Sequence, residues 1–271
     1  MTRALLPVAA DVSARLAGTP LVSMLDVDGT LAPIAPRPDD AAVPPETKRL
    51  LAALATRPGV TIAFVSGRAA ADVERLAGVH GAWIVGNHGF EILRPDGTPL
   101  TEASLGTARD AIAAALREIT DAVASMPGVL IEDKHWTVSV HFRLASPTVA
   151  PALREAVRRA ADRHGLRVME GKKVLEIRPD QDVNKGTAAL QLTREVFAGR
   201  QGSVLYVGDD ATDEDAFASL RAAMPMAVTA RVTHDEAART AAEFALDDTN
   251  AVAEFLGWLA AERSIPTLGR P

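Results

Sequence analysis

Asp26 and Asp28, in Leu25-Asp26-Val27-Asp28-Gly29-Thr30, stand two residues apart at the end of an apolar run that begins at Leu21. An Asp-Gly pair alone marks a turn, which accounts for Asp28 and Gly29. It leaves Asp26, at the end of a buried strand, without a structural reason. Two carboxylates so placed can approach one metal ion. Asp26 can then attack phosphorus while Asp28, one step further on, handles protons. A carboxylate and a phosphate dianion repel, and at about 4 Å with an effective dielectric near 20 two like unit charges cost roughly 4 kcal/mol. Cations must offset that repulsion. Mg²⁺ is suited to it because it takes carboxylate and phosphate oxygens together. Further carboxylate ligands are offered by Gly208-Asp209-Asp210-Ala211-Thr212-Asp213-Glu214-Asp215. A helix N-terminus attracts acidic residues, which accounts for Glu214 and Asp215. Five carboxylates in seven residues exceed what capping needs, so others in the segment are expected to face the metal.

Two further groups belong with this chemistry. Ser66-Gly67-Arg68 follows the apolar run Val60–Val65, and the Ser66 hydroxyl with nearby backbone N–H groups can hold phosphate oxygens. A plain helix cap explains the same tripeptide equally well. Lys185, in Asn184-Lys185-Gly186-Thr187 at another helix start, reads in isolation as a surface lysine.

The elements that must position these residues alternate along the chain. Apolar strands are expected at Leu21–Leu25, Val60–Val65, Ala82–Val85, Ser203–Val207 and Met224–Val228. Helices are expected at about 46–56, 69–76, 186–197 and 213–220, the first entered through Pro44-Pro45. Near-continuous apolar strands alternating with helices define an α/β class with a doubly wound, Rossmann-like parallel sheet covered on both faces. Ligands of such sheets bind beyond the carboxyl ends of the strands. Asp26, Ser66, Asn87 and Asp209 all fall at or just past those ends. The middle of the chain has a different rhythm: helix 107–125, strands 129–132 and 137–142, helix 149–164, strands 166–170 and 174–177. That is an inserted α+β cap of αββαββ type, expected at 106–180 between core segments 1–105 and 181–271. A lid of this kind would enclose a ligand and select for it.

The whole chain narrows the classes. Its 271 residues include 48% hydrophobic and 24% charged, an ordinary globular balance. With no cysteine, disulfides, thiolate catalysis and cysteine-ligated metals are excluded. A net charge of −6 argues against nucleic-acid and membrane partners. Residues 1–20 carry Pro7, Asp11 and Arg15 and lack the pattern of a signal peptide. They read as a short leading helix packed on the core. The expectation is a cytoplasmic monomer whose partner is a small molecule.

Taken in order, Asp-x-Asp-Gly-Thr, the serine at the second strand end, the downstream lysine and Gly-Asp-Asp-x-x-Asp resemble the four motifs of haloacid-dehalogenase-type phosphatases. More narrowly, the chain is similar to the trehalose-6-phosphate phosphatase family. Matching stretches include Asp28–Ile34, Ser66–Arg68, Gly86–Gly89, Glu132-Asp133-Lys134, His141-Phe142-Arg143, Gly171–Pro179, Lys185-Gly186 and Gly208–Phe217. The resemblance implies Asp26 as nucleophile, Asp28 as acid and base, and Ser66 and Lys185 on the phosphoryl group. It implies Mg²⁺ held by Asp26, the Asp28 carbonyl and Asp209, with Asp213 close by. Glu132, Lys134 and Glu176 match residues that hold the two glucose rings of trehalose 6-phosphate. Arg68 and Asn87 join them as substrate-binding candidates. Without the resemblance Glu176 would read only as an outward-facing strand residue. Three positions depart from the pattern: Val27 replaces a frequent aromatic, Phe142 the usual tyrosine, and His135 a common glycine. Another sugar phosphate (sucrose phosphate, mannosyl-glycerate phosphate), a phosphomutase and a catalytically dead binding module remain as alternatives.

Overall fold

A computed structural model describes residues 2–100, 106–233 and 239–263. The chain divides into two compact units, Met1–Leu100 with Val183–Pro271, and Thr101–Asp182.

In the first unit the strands in chain order are β1 (Arg3–Ala4), β2 (Leu21–Asp26), β3 (Val60–Val65), β4 (Trp83–Gly86) and β5 (Glu91–Leu93). After the insert come β10 (Ser203–Gly208), β11 (Val228–Val232) and β12 (Phe244–Leu246). They form one sheet in the order β1-β12-β11-β10-β2-β3-β4-β5. Every pairing is parallel except β4 with β5. The helices are α1 (Ala10–Leu16), α2 (Pro45–Ala55), α3 (Ala70–Ala77), α6 (Lys185–Phe197), α7 (Asp213–Ala223) and α8 (Thr249–Glu262).

Alternate strand residues enter different cores. Leu21, Leu25, Ile62, Phe64, Leu205 and Val207 pack with α1, α2, α3 and α8, whereas Val22, Met24, Ala63, Val65, Val204 and Tyr206 pack with α6 and α7. Both faces are therefore dry, which is why these strands read as unbroken apolar runs rather than alternating ones. Burying each such side chain is worth about 1.5–3 kcal/mol. Val27 belongs to the first core and is fully buried, so an aliphatic residue fills a packing position there.

The second unit has α4 (Gly106–Val123), β6 (Leu130–Asp133), β7 (Val138–His141), α5 (Ala150–Arg163), β8 (Leu166–Gly171) and β9 (Val174–Pro179). Its sheet runs β6-β7-β9-β8 with every pair antiparallel. Val138, Val140, Leu175 and Ile177 pack against Ile112, Ile119, Leu153 and Val157 of the helices.

Several expectations needed correction. The strand anticipated at Met224–Val228 begins only at Val228. Met224 ends α7, Ala227 N–H turns back to the Met224 carbonyl and Met226 is exposed. Pro225 removes a donor that a ladder would use. The N-terminus does supply α1, with Val12 and Leu16 in the core. It also supplies β1 at the sheet edge, which was not anticipated. Strands β5 and β12 and helix α8 were likewise unread.

Candidate active site

Each chemically promising residue of the first unit sits at a strand end or helix start on the carboxyl edge of the sheet. Asp26 is the last residue of β2, Ser66 follows β3, Asn87 follows β4 and Asp209 follows β10. Lys185 opens α6 and Asp213 opens α7. Asn184 caps α6 with a reciprocal hydrogen bond to Thr187, which sets where that helix begins.

Lys185 is the centre of the cluster, with a side chain only 1% exposed. Its Nζ donates to Asp26 Oδ1 at 2.8 Å and Asp213 Oδ1 at 2.9 Å, and lies 3.6 Å from Asp210 Oδ1. The surface-lysine reading is thereby replaced by a buried ammonium among carboxylates. A Cβ on Gly186 would collide with the Asp215 carbonyl, so glycine lets α6 and α7 come close enough for this contact.

Asp213 is bound on both oxygens. Oδ1 accepts from Lys185 and from the Tyr206 hydroxyl at 2.7 Å, and Oδ2 accepts the backbone N–H groups of Asp209 and Asp210, each at 3.1 Å. A Cβ on Gly208 would strike its carboxylate. Asp213 thus ties the lysine to the loop that carries Asp209. Neither Tyr206 nor Asp210 was singled out from sequence. The available signal for Tyr206 was the chain's one tyrosine, placed in an apolar strand three residues before Gly-Asp-Asp's first aspartate.

Among the described residues, carboxylate oxygens of Asp26, Asp209 and Asp213 lie within 4.8 Å of one another. Gly29, at φ +78°, takes a conformation that side chains resist, and a Cβ there would run into the Asp209 carboxylate. The donors are all hard oxygens, the set that Mg²⁺ or another hard divalent cation takes. The charge balance points the same way. Asp26, Asp210 and Asp213 share the Lys185 ammonium, and Asp209 adds a fourth carboxylate beside Asp26 and Asp213.

The acidities follow from this crowding. Burial pushes the Asp26 carboxyl well above the usual range; Lys185 pulls it down, and Asp213, Asp210 and Asp209 push it further up. Burial raises Asp213 to about 6 against the pull of Lys185, with Asp210 adding to the rise. Burial would lower Lys185, yet Asp26, Asp213 and Asp210 outweigh it and hold the ammonium above the ordinary lysine range. Burial works against ionisation of Asp210 too, but Lys185 and hydrogen bonds from Asp213 and Thr212 keep it well below the usual carboxylate range.

The Asp28 carboxylate is placed elsewhere. Arg68 grips it with both arms of its guanidinium, Nε to Oδ2 at 2.6 Å and Nη2 to Oδ1 at 2.7 Å. The Ser66 side chain accepts Arg68 N–H at 3.2 Å, while α3 starts only at Ala70, capped by Ala69. Ser66 is therefore not the cap of α3. Glu91 serves there instead, accepting Ala70 N–H at 2.7 Å and the Asn87 amide at 2.9 Å. Asn87 is fully buried and braces this corner. His88 lays its ring over Gly67 and is outside the carboxylate group. Glu214 lies in the first turn of α7, as expected, and in addition pairs with Arg231 at 2.8 Å and accepts Ala241 N–H.

In the second unit Glu132, Ser139 and Glu176 are successive partners across β6, β7 and β9. Directly opposed residues share a face, so the two carboxylates lie on one face. Glu132 pairs with His141 at 2.9 Å and lies 3.9 Å from Lys134. His141 is a partner that sequence reasoning placed only within a matching stretch. Phe142 is buried, with Arg154 and Lys173 over its ring, and so is a core residue. His135 adopts φ +74°, with its N–H on Asp133 Oδ1, so the turn keeps a glycine-like backbone with histidine in it.

A doubly wound sheet with this cluster at its carboxyl edge, interrupted by an α+β insert, is the architecture of haloacid-dehalogenase-type proteins. The trehalose-phosphatase family model matches residues 24–250. The chain belongs to that family. It is 40% identical over 237 residues to a trehalose-phosphate phosphatase of Mycobacterium tuberculosis, covering 87% of this chain and 60% of the relative. The chain thus spans about 60% of the length of the curated relatives it matches first. The trehalose-6-phosphate phosphatase structure from Aspergillus fumigatus aligns with a TM-score of 0.69 at 26% identity, over 96% of this chain and 99% of that one. The C-terminal domain of the Candida albicans trehalose-6-phosphate phosphatase aligns with a TM-score of 0.74, over 96% and 98%. At 24% identity it speaks to the fold alone.

Proposed function

We propose that the chain hydrolyses trehalose 6-phosphate to trehalose and inorganic phosphate through an aspartyl-phosphate on Asp26. The observation that carries this reading is the buried Lys185–Asp26–Asp213 contact set at the sheet edge, beside Asp209. Family membership and the named relatives support the substrate.

In the first step an Asp26 oxygen forms a bond to phosphorus as the bond to the sugar 6-oxygen breaks. That oxygen takes a proton from Asp28. In the second step water attacks phosphorus, gives its proton to Asp28 and releases Asp26 with phosphate. Proton transfer of this kind is typically worth about 10² to 10⁴ in rate. Lys185 neutralises charge next to the nucleophile, and Ser66 with the backbone amides of its turn holds phosphoryl oxygens. Asp26, the Asp28 carbonyl and Asp209 would hold Mg²⁺, while Asp213, saturated by protein donors, fixes the loop from behind. Bound there, Mg²⁺ supplies charge neutralisation for the phosphoryl group. Glu132, Lys134 and Glu176 supply acceptors and donors for sugar hydroxyls, within the 106–180 cap. The reading is of a monomeric, cytoplasmic enzyme; among the described residues no helix is long and apolar enough to cross a membrane.

Phosphate release from trehalose 6-phosphate, with and without Mg²⁺, is the direct test. Sucrose phosphate and mannosyl-glycerate phosphate serve as comparisons. Faster turnover of either comparison would overturn the sugar assignment, and metal-independent turnover would overturn the Mg²⁺ requirement. Asp26→Asn is expected to abolish turnover; wild-type rates in that variant would remove the nucleophile.

A further inference from the structure

We propose that Arg68 is a positioning residue, holding the Asp28 carboxylate in the orientation its proton transfers need. The inference rests on the reading of Asp28 given above. Three observations carry it. First, the guanidinium meets the carboxylate in a two-point fork at 2.6 and 2.7 Å, a geometry that fixes the plane of the carboxylate as well as its distance. Second, Arg68 is the better anchored partner. Its side chain is 16% exposed against 40% for Asp28. Its N–H is held by Ser66 Oγ, and its carbonyl accepts Asn87 N–H at 2.7 Å, on a corner that Glu91 braces. Third, Asp28 sits in a turn outside the three-carboxylate group of Asp26, Asp209 and Asp213. A half-exposed carboxylate on a turn would otherwise sample several rotamers. A displacement of about 1 Å at such a group can cost on the order of 10² in rate.

Leaving-group chemistry separates this role from phosphate binding. Departure of a sugar alkoxide needs the proton from Asp28, whereas p-nitrophenolate leaves without one. Hydrolysis of the phospho-enzyme needs Asp28 whichever substrate formed it. With trehalose 6-phosphate, Arg68→Ala is therefore expected to lower kcat on the order of 10²-fold while KM stays within a few-fold. With p-nitrophenyl phosphate, the same variant is expected to release a near-stoichiometric burst of p-nitrophenolate, followed by slow steady-state turnover. Asp28→Asn should give the same burst, and the double variant should be little worse than either single one. Arg68→Lys keeps the charge but loses the fork, and is expected to recover part of kcat.

A raised KM for both substrates with kcat unchanged, in Arg68→Ala or Arg68→Lys, would show Arg68 on the phosphate and overturn the proposal. A burst in Asp28→Asn but not in Arg68→Ala or Arg68→Lys also overturns it. Absence of a burst in Asp28→Asn itself would instead remove the acid–base role of Asp28.

Discussion

The Asp213 carboxylate shows how much a single side chain can organise. Its four donors come from two elements and one loop: Lys185, Tyr206, and the amides of Asp209 and Asp210. Tyr206→Phe keeps the ring and its edge contact with Phe217 but removes one hydrogen bond to a charged group. The expected cost is about 1.5–3 kcal/mol, read by urea denaturation of the metal-free protein. Asp213 also predicts a pH dependence. Its folded value of about 6 lies above the ordinary 3.8, so the folded state holds the proton more tightly. That contribution is fully present below 3.8 and is lost as pH rises through about 6. Metal-free protein should therefore lose stability across that window, while the gain on adding Mg²⁺ should grow with pH. Denaturation midpoints measured at pH 4.5, 5.5 and 6.5 would check both slopes, and a flat metal-free profile would contradict them. At this scale the residue types were legible, because carboxylates at strand ends have no packing role to explain them. The partners were not, since Arg68 and Asp28 are 40 residues apart and Lys185 and Asp26 are 159 apart.

Elements were legible where their pattern is local. β3 falls where its run of five apolar residues and Thr61 places it, and α6 begins where its capping pair does. The short strands β1 (at the sheet edge) and β12 (between β1 and β11) have too few residues to carry a period, and they exist because each finds a neighbour in the sheet. The β6–β7 turn makes a sharper point. His135 occupies a left-handed position at φ +74°, which histidine tolerates and β-branched residues do not. His135→Val should destabilise by about 1–2 kcal/mol, whereas His135→Gly should be neutral or slightly stabilising. Thermal melting of the two variants would decide. Equal melting temperatures for both would mean that the turn carries no backbone strain.

For the whole molecule, every strand of the eight-stranded sheet lies in the first unit, and the second has its own sheet and core. Joining Leu100 to Val183 through a short Gly/Ser linker should therefore leave a folded first unit that hydrolyses p-nitrophenyl phosphate. The proposed sugar residues Glu132, Lys134 and Glu176 would be gone, and with them any preference for trehalose 6-phosphate. Circular dichroism and a substrate panel would test this. Retained preference would place sugar recognition in the first unit. Sequence by itself determined the α/β class, the strand ends and the acidic loop, because buried parallel strands and turn chemistry are written in local residue types. Only the tertiary structure decided that Lys185 is buried, that Asp213 and Tyr206 brace it, and that Arg68 holds Asp28. Those pairings join distant segments, and their distances are set by how α6 and α7 pack and how β2, β3 and β10 align.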